Sequence, residues 1–165
     1  MGFMLSIPSW TPDLTVDNET IDQQHHEMLA LGRTAIYLLK HQNTPLFRQQ
    51  LPDIMDKILE LTSRHFVTEE RILARNGCPT LAEHQHQHQQ HLNTLDELVR
   101  RAKEGRIDGM GFIKALVSSL YNHMYEWDLA CKEFLRKEST DRRFLVTTHS
   151  PPMYATGVER EGTEY

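Results

Sequence analysis

The sequence predicts an all-α protein: an up-down-up-down four-helix bundle with an N-terminal arm and a C-terminal tail. Three observations carry that prediction. Apolar residues recur at three- and four-residue steps over four long stretches. The alternating pattern of a half-buried strand is nearly absent. The stretches are joined by short links rich in helix caps, glycine and proline, which places successive helices side by side and antiparallel. The 165-residue length fits one domain, and a hydrophobic content of 39% supplies a core for it.

Residues 1–18 read as the arm. Pro8, Pro12 and Asp17 interrupt any helix there, while Trp10 and Leu14 can pack down on a core. The bundle occupies residues 19–138. Its first helix is predicted from about Glu19 to His41, with Ile21, His25, Met28, Gly32, Ala35 and Leu39 on one face. Thr44 and Pro45 provide a cap and a first-turn proline for the second helix. That helix extends to about Asn76, with a break or restart expected at Pro52. Its inward face reads Ile54, Ile58, Leu61, His65, Glu69 and Ile72 or Leu73. Asn76-Gly77-Cys78-Pro79 ends it. Thr80 caps a third helix to about Glu104, Gly105 stops that one, and Asp108 can cap a fourth to about Lys137. The fourth carries Phe112, Leu116, Leu120, His123, Trp127, Cys131 and Leu135. Periodicity then stops, and residues 139–165, with Pro151, Pro152, Gly157 and Gly162, read as the tail.

Charge and composition exclude several classes. A net charge of −5 offers no basic footprint for nucleic acid. No run of about 18 apolar residues exists to span a bilayer. Met1 to Trp10 lacks the basic and apolar regions of a secretory signal, so a cytoplasmic location is expected. Cys78 and Cys131 stand far apart and form no CxxC pattern; the expectation is two reduced, unremarkable thiols.

Histidine is the abnormal feature, with ten residues. The first helix places His25 inward. The second offers His65 and Glu69, four residues and about 40° apart, so both reach one point. The third offers His84 and His88 at the same spacing, and the fourth offers His123. A lone histidine on an apolar face is more often a satisfied core residue than a ligand. Four helices each contributing such a group is a different matter, because burying all of them without a metal is costly. Asp128 follows His123 by five residues, a step of about 140° on a regular α-helix. It can join only from the side or through a local distortion. Five imidazoles with two carboxylates are too many donors for one tetrahedral ion and suit two ions bridged by carboxylate. Mixed nitrogen and oxygen ligation with open positions favours iron. His26, His41, His86, His91 and His149 fall off the inward lines and are expected to face solvent.

These residues resemble the hemerythrin family, specifically its bacterial members. The resemblance lies in Ile21-Asp22-Gln23-Gln24-His25, in His65-Phe66-Val67-Thr68-Glu69-Glu70, in Pro79 followed by His84 and His88, and in His123 through Asp128; Trp10 stands where the family has an arm tryptophan. It covers roughly residues 10–135, and it is what selects Asp128. It implies a non-haem di-iron centre with an oxo or hydroxo bridge. One iron would be held by His84, His88 and His123 and the other by His25 and His65, with Glu69 and Asp128 bridging. The implied function is reversible dioxygen binding in carriage, storage or delivery, and not an enzymatic one. An oxygen or redox sensor acting through a partner is the alternative. A di-iron oxidase or peroxidase fits less well, because the bundle oxidases use two Glu-x-x-His motifs and only Glu83-x-x-His86 occurs here, off the ligand line. Helical spacing suggests Met28, Phe66, Leu120 and Met124 as the lining of a dioxygen pocket. The family often has a tryptophan four residues before the fourth-helix histidine. Here that position is Ser119, so easier entry of water and faster autoxidation are expected.

Overall fold

The computed structural model describes residues 6–42 and 44–136. The predicted tail and His149 lie outside the described residues. Helices α1 (Glu19–Lys40), α2 (Pro45–Arg75) and α3 (Leu81–Lys103) form three legs of a bundle. The fourth leg starts as α4 (Met110–Val117), continues through two π-helical turns (Ser118–Asn122 and Met124–Asp128) and a 3-10 turn (Leu129–Cys131), and ends as α5 (Lys132–Leu135). There is no strand among the described residues. α1 packs on α2, α2 on α3, and the fourth leg closes the bundle against α1 and α3.

Local chemistry fixes where each leg starts and stops. The Asn18 side chain accepts from the Ile21 amide at 3.2 Å and donates to the Leu135 carbonyl at 3.0 Å, capping α1 and tying its start to α5. Thr44 caps α2 by accepting from Phe47, as the sequence predicts. Gly77 and Gly105 take positive φ just past the ends of α2 and α3, where a Cβ would be strained. Asp108 accepts from the Phe112 amide at 2.9 Å and so caps the fourth leg. Thr80 precedes α3 but makes no side-chain cap bond; its hydroxyl lies beside the two cysteine sulfurs instead.

Two expectations about the helices need correction. α2 does not break at Pro52: it is one helix of 31 residues. The single amide bond that proline removes lies within the first two turns, and buried Leu51 and Met55 on either side hold the chain in line. The fourth leg is not one regular helix. The amide of His123 donates to the Ser118 carbonyl and that of Leu129 to the Met124 carbonyl, both five-residue bonds. The buried set shifts accordingly: Met124 and Asp128 are buried and Trp127 only partly, while on α2 Met55 is buried and Ile54 partly.

The core is divided. A large apolar cluster fills most of the bundle, including Met28, Leu29, Ile58, Leu95, Phe112 and Leu120. A small one made by Val16, Ile21, Leu73, Cys78, Cys131 and Leu135 closes the end where α1 begins and α2 finishes. The arm covers a flank of both clusters, with Val16 in the small one and Ile7 and Leu14 in the large one. Asp22 accepts from the Thr15 hydroxyl and the Val16 amide, and Ile7, Leu14 and Val16 are buried. Gly32 permits this closure, since a Cβ there would overlap Ile7 Cδ1 and Leu120 Cδ1. Between the two clusters lies a layer of buried polar groups.

Candidate metal centre

That layer contains His25, His65, Glu69, His84, His88, His123 and Asp128, each at most 2% exposed. The structure therefore brings together all seven residues singled out in the sequence. They form two groups that share one residue: Glu69, His84, His88, His123 and Asp128 in the first, His25, His65 and Asp128 in the second. Asp128 stands between them. Its Oδ1 lies 3.1 Å from His84 Nε2 and 3.1 Å from His123 Nε2, whereas its Oδ2 lies 3.1 Å from His25 Nε2. Glu69 Oε2 lies 3.2 Å from His88 Nε2, 3.5 Å from His84 Nε2 and 3.9 Å from His65 Nε2.

The π-helical winding is what brings Asp128 in. On a regular helix a five-residue step would carry it off the face that holds His123. A winding with five-residue hydrogen bonds returns the chain to that face after five residues, so His123 and Asp128 point at one place. On α2 and α3 the ordinary winding does the same for the four-residue pairs His65 with Glu69 and His84 with His88.

The donor set fits metal ions. Imidazole nitrogens face each other at 3.2 Å, His25 to His65 and His84 to His123. Two donors each about 2.1 Å from a shared ion and about 90° apart lie about 3 Å from one another. Both Glu69 oxygens, Asp128 Oδ2 and His88 Nε2 are buried with no hydrogen-bond partner among the described residues. A buried polar atom left so costs about 1–3 kcal/mol, more when charged. One cation in each group would satisfy them together.

Three of the outer nitrogens are held as metal-ligating imidazoles require, while Nδ1 of His25 and of His123 has no hydrogen-bond partner among the described residues. His65 Nδ1 meets Gln24 Oε1 at 3.1 Å, His88 Nδ1 meets Glu70 Oε1 at 2.7 Å, and His84 Nδ1 meets Cys131 Sγ at 3.4 Å. With Nδ1–H donating to these acceptors, the Nε2 lone pairs point into the centre. Gln85 donates to the second Glu70 oxygen at 3.0 Å and steadies it. Sequence periodicity misses Gln24 and Glu70, because each is a neighbour of a ligand position rather than a member of the inward line.

Electrostatics differ sharply across the metal-free cluster. Burial, with the nearby Asp128 charge, pushes Glu69 up to about 7. Burial also opposes the Asp128 carboxylate, but the His123 charge and the close approach of the His123, His25 and His65 imidazoles outweigh it and hold Asp128 well below the usual range. Burial lowers His65, and it lowers His88 to about 4. His84 is the exception: burial opposes its charge, yet its bonds to Asp128 and Cys131 raise it to about 10.

Around the centre, Phe66 stacks on His88 with ring centres 3.7 Å apart and abuts His123 at 5.2 Å. Met28, Leu120 and Met124 are buried, in the large apolar cluster. Trp10 lies on His26 at 4.2 Å and near His25 at 6.2 Å. His26, His41 and His86 are exposed, as expected. His91 is not: it is half-buried, its Nδ1 is 3.3 Å from the hydroxyl of buried Ser119, and its ring is 4.9 Å from that of His123. The small Ser119 leaves room for that ring, and burial lowers its pKa to about 4. Both cysteines are free, and their sulfurs lie 3.8 Å apart in the closing cluster, a proximity the sequence spacing does not show.

Comparison with known proteins agrees with this geometry. A bacteriohemerythrin from Stenotrophomonas maltophilia (strain R551-3) is 28% identical over 119 residues, which cover 70% of this chain and 72% of that protein. No solved structure matches the chain. The family model described as the hemerythrin HHE cation binding domain matches residues 16–132, a span that contains every residue of the buried His, Glu and Asp cluster. On that match the chain belongs to the hemerythrin HHE cation-binding family.

Proposed function

We propose that the chain is a non-haem di-iron protein that binds dioxygen reversibly, as a carrier, store or delivery protein and not an enzyme. The observation that carries this reading is the split of Asp128, with one oxygen toward His84 and His123 and the other toward His25. A single carboxylate shared in that way fits two ions rather than one. Glu69, His84, His88, His123 and Asp128 would hold the first, and His25, His65 and Asp128 the second. The second group has fewer donors, which favours an open position for an exogenous ligand. The name of the bacterial relative points the same way. The chemistry the two irons supply when bound is reversible electron exchange with dioxygen.

The chain's own part is support and exclusion. Gln24, Glu70 and Cys131 hold three imidazoles in the orientation that aims Nε2 inward. Phe66 stacks on His88, and Met28, Leu120 and Met124 are buried; as the lining of the centre these four would keep bulk water from it. The His-rich donor set supports reversible binding over oxidation chemistry, since it places less anionic charge on the metals than a glutamate-rich set would.

The test is an anaerobic-to-air titration of iron-loaded protein, with bound iron quantified and the visible spectrum followed. Two irons per chain and a charge-transfer band that vanishes under inert gas are expected. Irreversible oxidation without such a band would overturn the reading.

A further inference from the structure

Cys78 and Cys131 come from distant parts of the chain and meet in the small cluster that closes the site end of the bundle. Their sulfurs are 3.8 Å apart, in contact but unbonded, and both residues are buried. Neither is held on a regular helix. Cys78 lies in the connector between α2 and α3, and Cys131 is the last residue of the 3-10 turn that follows the π-helical segment. A disulfide requires a sulfur separation of about 2.05 Å. Side-chain rotation, with small adjustment of two irregular backbone segments, can close the remaining gap. Cys131 Sγ is also the partner of His84 Nδ1, at 3.4 Å.

We propose that Cys78 and Cys131 form a reversible dithiol–disulfide site whose redox state is transmitted to the metal centre through His84. The oxidant class is a small hydroperoxide, such as hydrogen peroxide, which can reach sulfurs closed to larger oxidants. One cysteine sulfur attacks the peroxide oxygen, the O–O bond breaks, and a sulfenic acid and water form. The second sulfur then attacks the sulfenic sulfur and releases the second water. Two thiols lose two electrons and two protons; one peroxide is reduced to two waters. A dithiol reverses the step by exchange. Closing the bond draws Cys131 Sγ toward Cys78 and removes its S–H, so the acceptor for His84 Nδ1–H is altered. This second link rests on the assignment of His84 as a ligand; formation of the bond does not.

The experiment uses the full-length chain, as isolated and zinc-loaded, treated with hydrogen peroxide and then alkylated under denaturing conditions. A mass loss of about 2 Da is expected, with a Cys78–Cys131 linked peptide that dithiothreitol reverses and that is missing in Cys78→Ser. Alkylation of both cysteines after treatment, or a sulfinate on either without linkage, would overturn the proposal. In the zinc-loaded chain, nitrogen NMR of the imidazoles reads the second link. The His84 Nδ1 resonance should move on oxidation and return on reduction. Linkage with no change at His84 would refute the transmission while leaving the disulfide and the metal-site assignment standing.

Discussion

In α2, His65 and Glu69 stand four residues apart on an ordinary helix, and the fold gives them one direction at no local cost. In the fourth leg, His123 and Asp128 stand five apart, and the helix is rewound over Ser118–Asp128 to aim them together. The first arrangement is helical geometry used as it comes. The second is a departure from the most stable winding, in the segment that carries the residue reaching both metal groups. Single-turn π distortions are often found at functional sites. Here the reason is visible: only this winding lets one carboxylate from the fourth leg lie between two histidine groups.

Removing Asp128 is the largest break one can make in that contrast. Asp128→Ala should cut metal retention by more than about 100-fold, beyond the loss of a supporting residue, and should deplete both positions because both share it. Glu69→Ala, on the regular helix, should weaken the first position more than the second, since its nearest imidazoles are His88 and His84. Metal content per chain after dialysis against a chelator checks both. Equal depletion by the two variants would mean that the split carboxylate is not the organising ligand.

The supporting residues give the next largest effect. Glu70→Ala and Gln24→Ala each remove the acceptor that orients one imidazole on Nδ1, and each is expected to weaken metal binding about 10- to 100-fold. The Glu70 variant should lie toward the upper end, because a carboxylate acceptor at 2.7 Å is stronger than an amide oxygen at 3.1 Å. Competition with a coloured chelator measures the difference. A Gln24 variant weaker than the Glu70 variant would contradict this ranking.

Legibility in the sequence follows the same divide. Where the chain uses regular winding, spacing suffices: His25, His65, Glu69, His84 and His88 fall on inward lines that anyone can count. Where it does not, spacing fails. Asp128 was selected by resemblance, because the five-residue step that looks wrong on an α-helix is right only on the winding the structure has. Trp127, counted as inward, is only partly buried for that reason. Pro52 misled in the opposite sense, since proline chemistry predicts a break but not whether neighbouring core contacts will bridge it. Gln24, Glu70, His91 and the pairing of Cys78 with Cys131 were hidden because their roles depend on contacts between distant segments, and no period records those. Sequence did show that the tryptophan position is Ser119, but not that His91 occupies the space beside it.

Acid sharpens the comparison in the metal-free chain. His88 and His91 are held near 4 against an ordinary 6.5, and burial also lowers His65. A group whose folded pKa is depressed takes its proton first in the unfolded state. Its contribution is present above the unfolded value and is lost as pH falls through the folded one. His88 and His91 act in that direction between 6.5 and about 4, and His65 acts in the same direction below 6.5. Glu69, raised to about 7, opposes them as one proton, because the fold favours its neutral form. Each net proton contributes at most about 1.4 kcal/mol per pH unit. Stability of the metal-free chain should therefore fall as pH drops below 6.5. It should also fall as pH rises above 6.5, because folded His84 keeps its proton up to about 10 while the unfolded chain has already lost it. Urea midpoints measured from pH 4 to 9 test this, and a flat profile would contradict the charge assignments.

The smallest expected effect concerns the edge of the rewound segment. Ser119 is buried at the start of the π-helical stretch, with its hydroxyl against His91, whose ring approaches His123. This is a polar contact beside the centre on the fourth-leg side, whereas the α2 side presents the stacked ring of Phe66. Apolar cover excludes water, and a hydroxyl with an adjacent imidazole offers it hydrogen bonds. Ser119→Trp, which displaces the His91 ring and restores aromatic cover, should slow autoxidation of the iron-loaded protein several-fold, an effect of about 1 kcal/mol on the barrier. Because overpacking a tight core can itself destabilise by about 1–3 kcal/mol, the variant is read beside Ser119→Ala, which removes the hydroxyl without adding bulk. If polarity admits water, both variants autoxidise more slowly than the parent. If space is what matters, only the tryptophan variant does. Rates unchanged in both would mean that water reaches the centre by another route, past Trp10 and the arm rather than between α3 and the fourth leg.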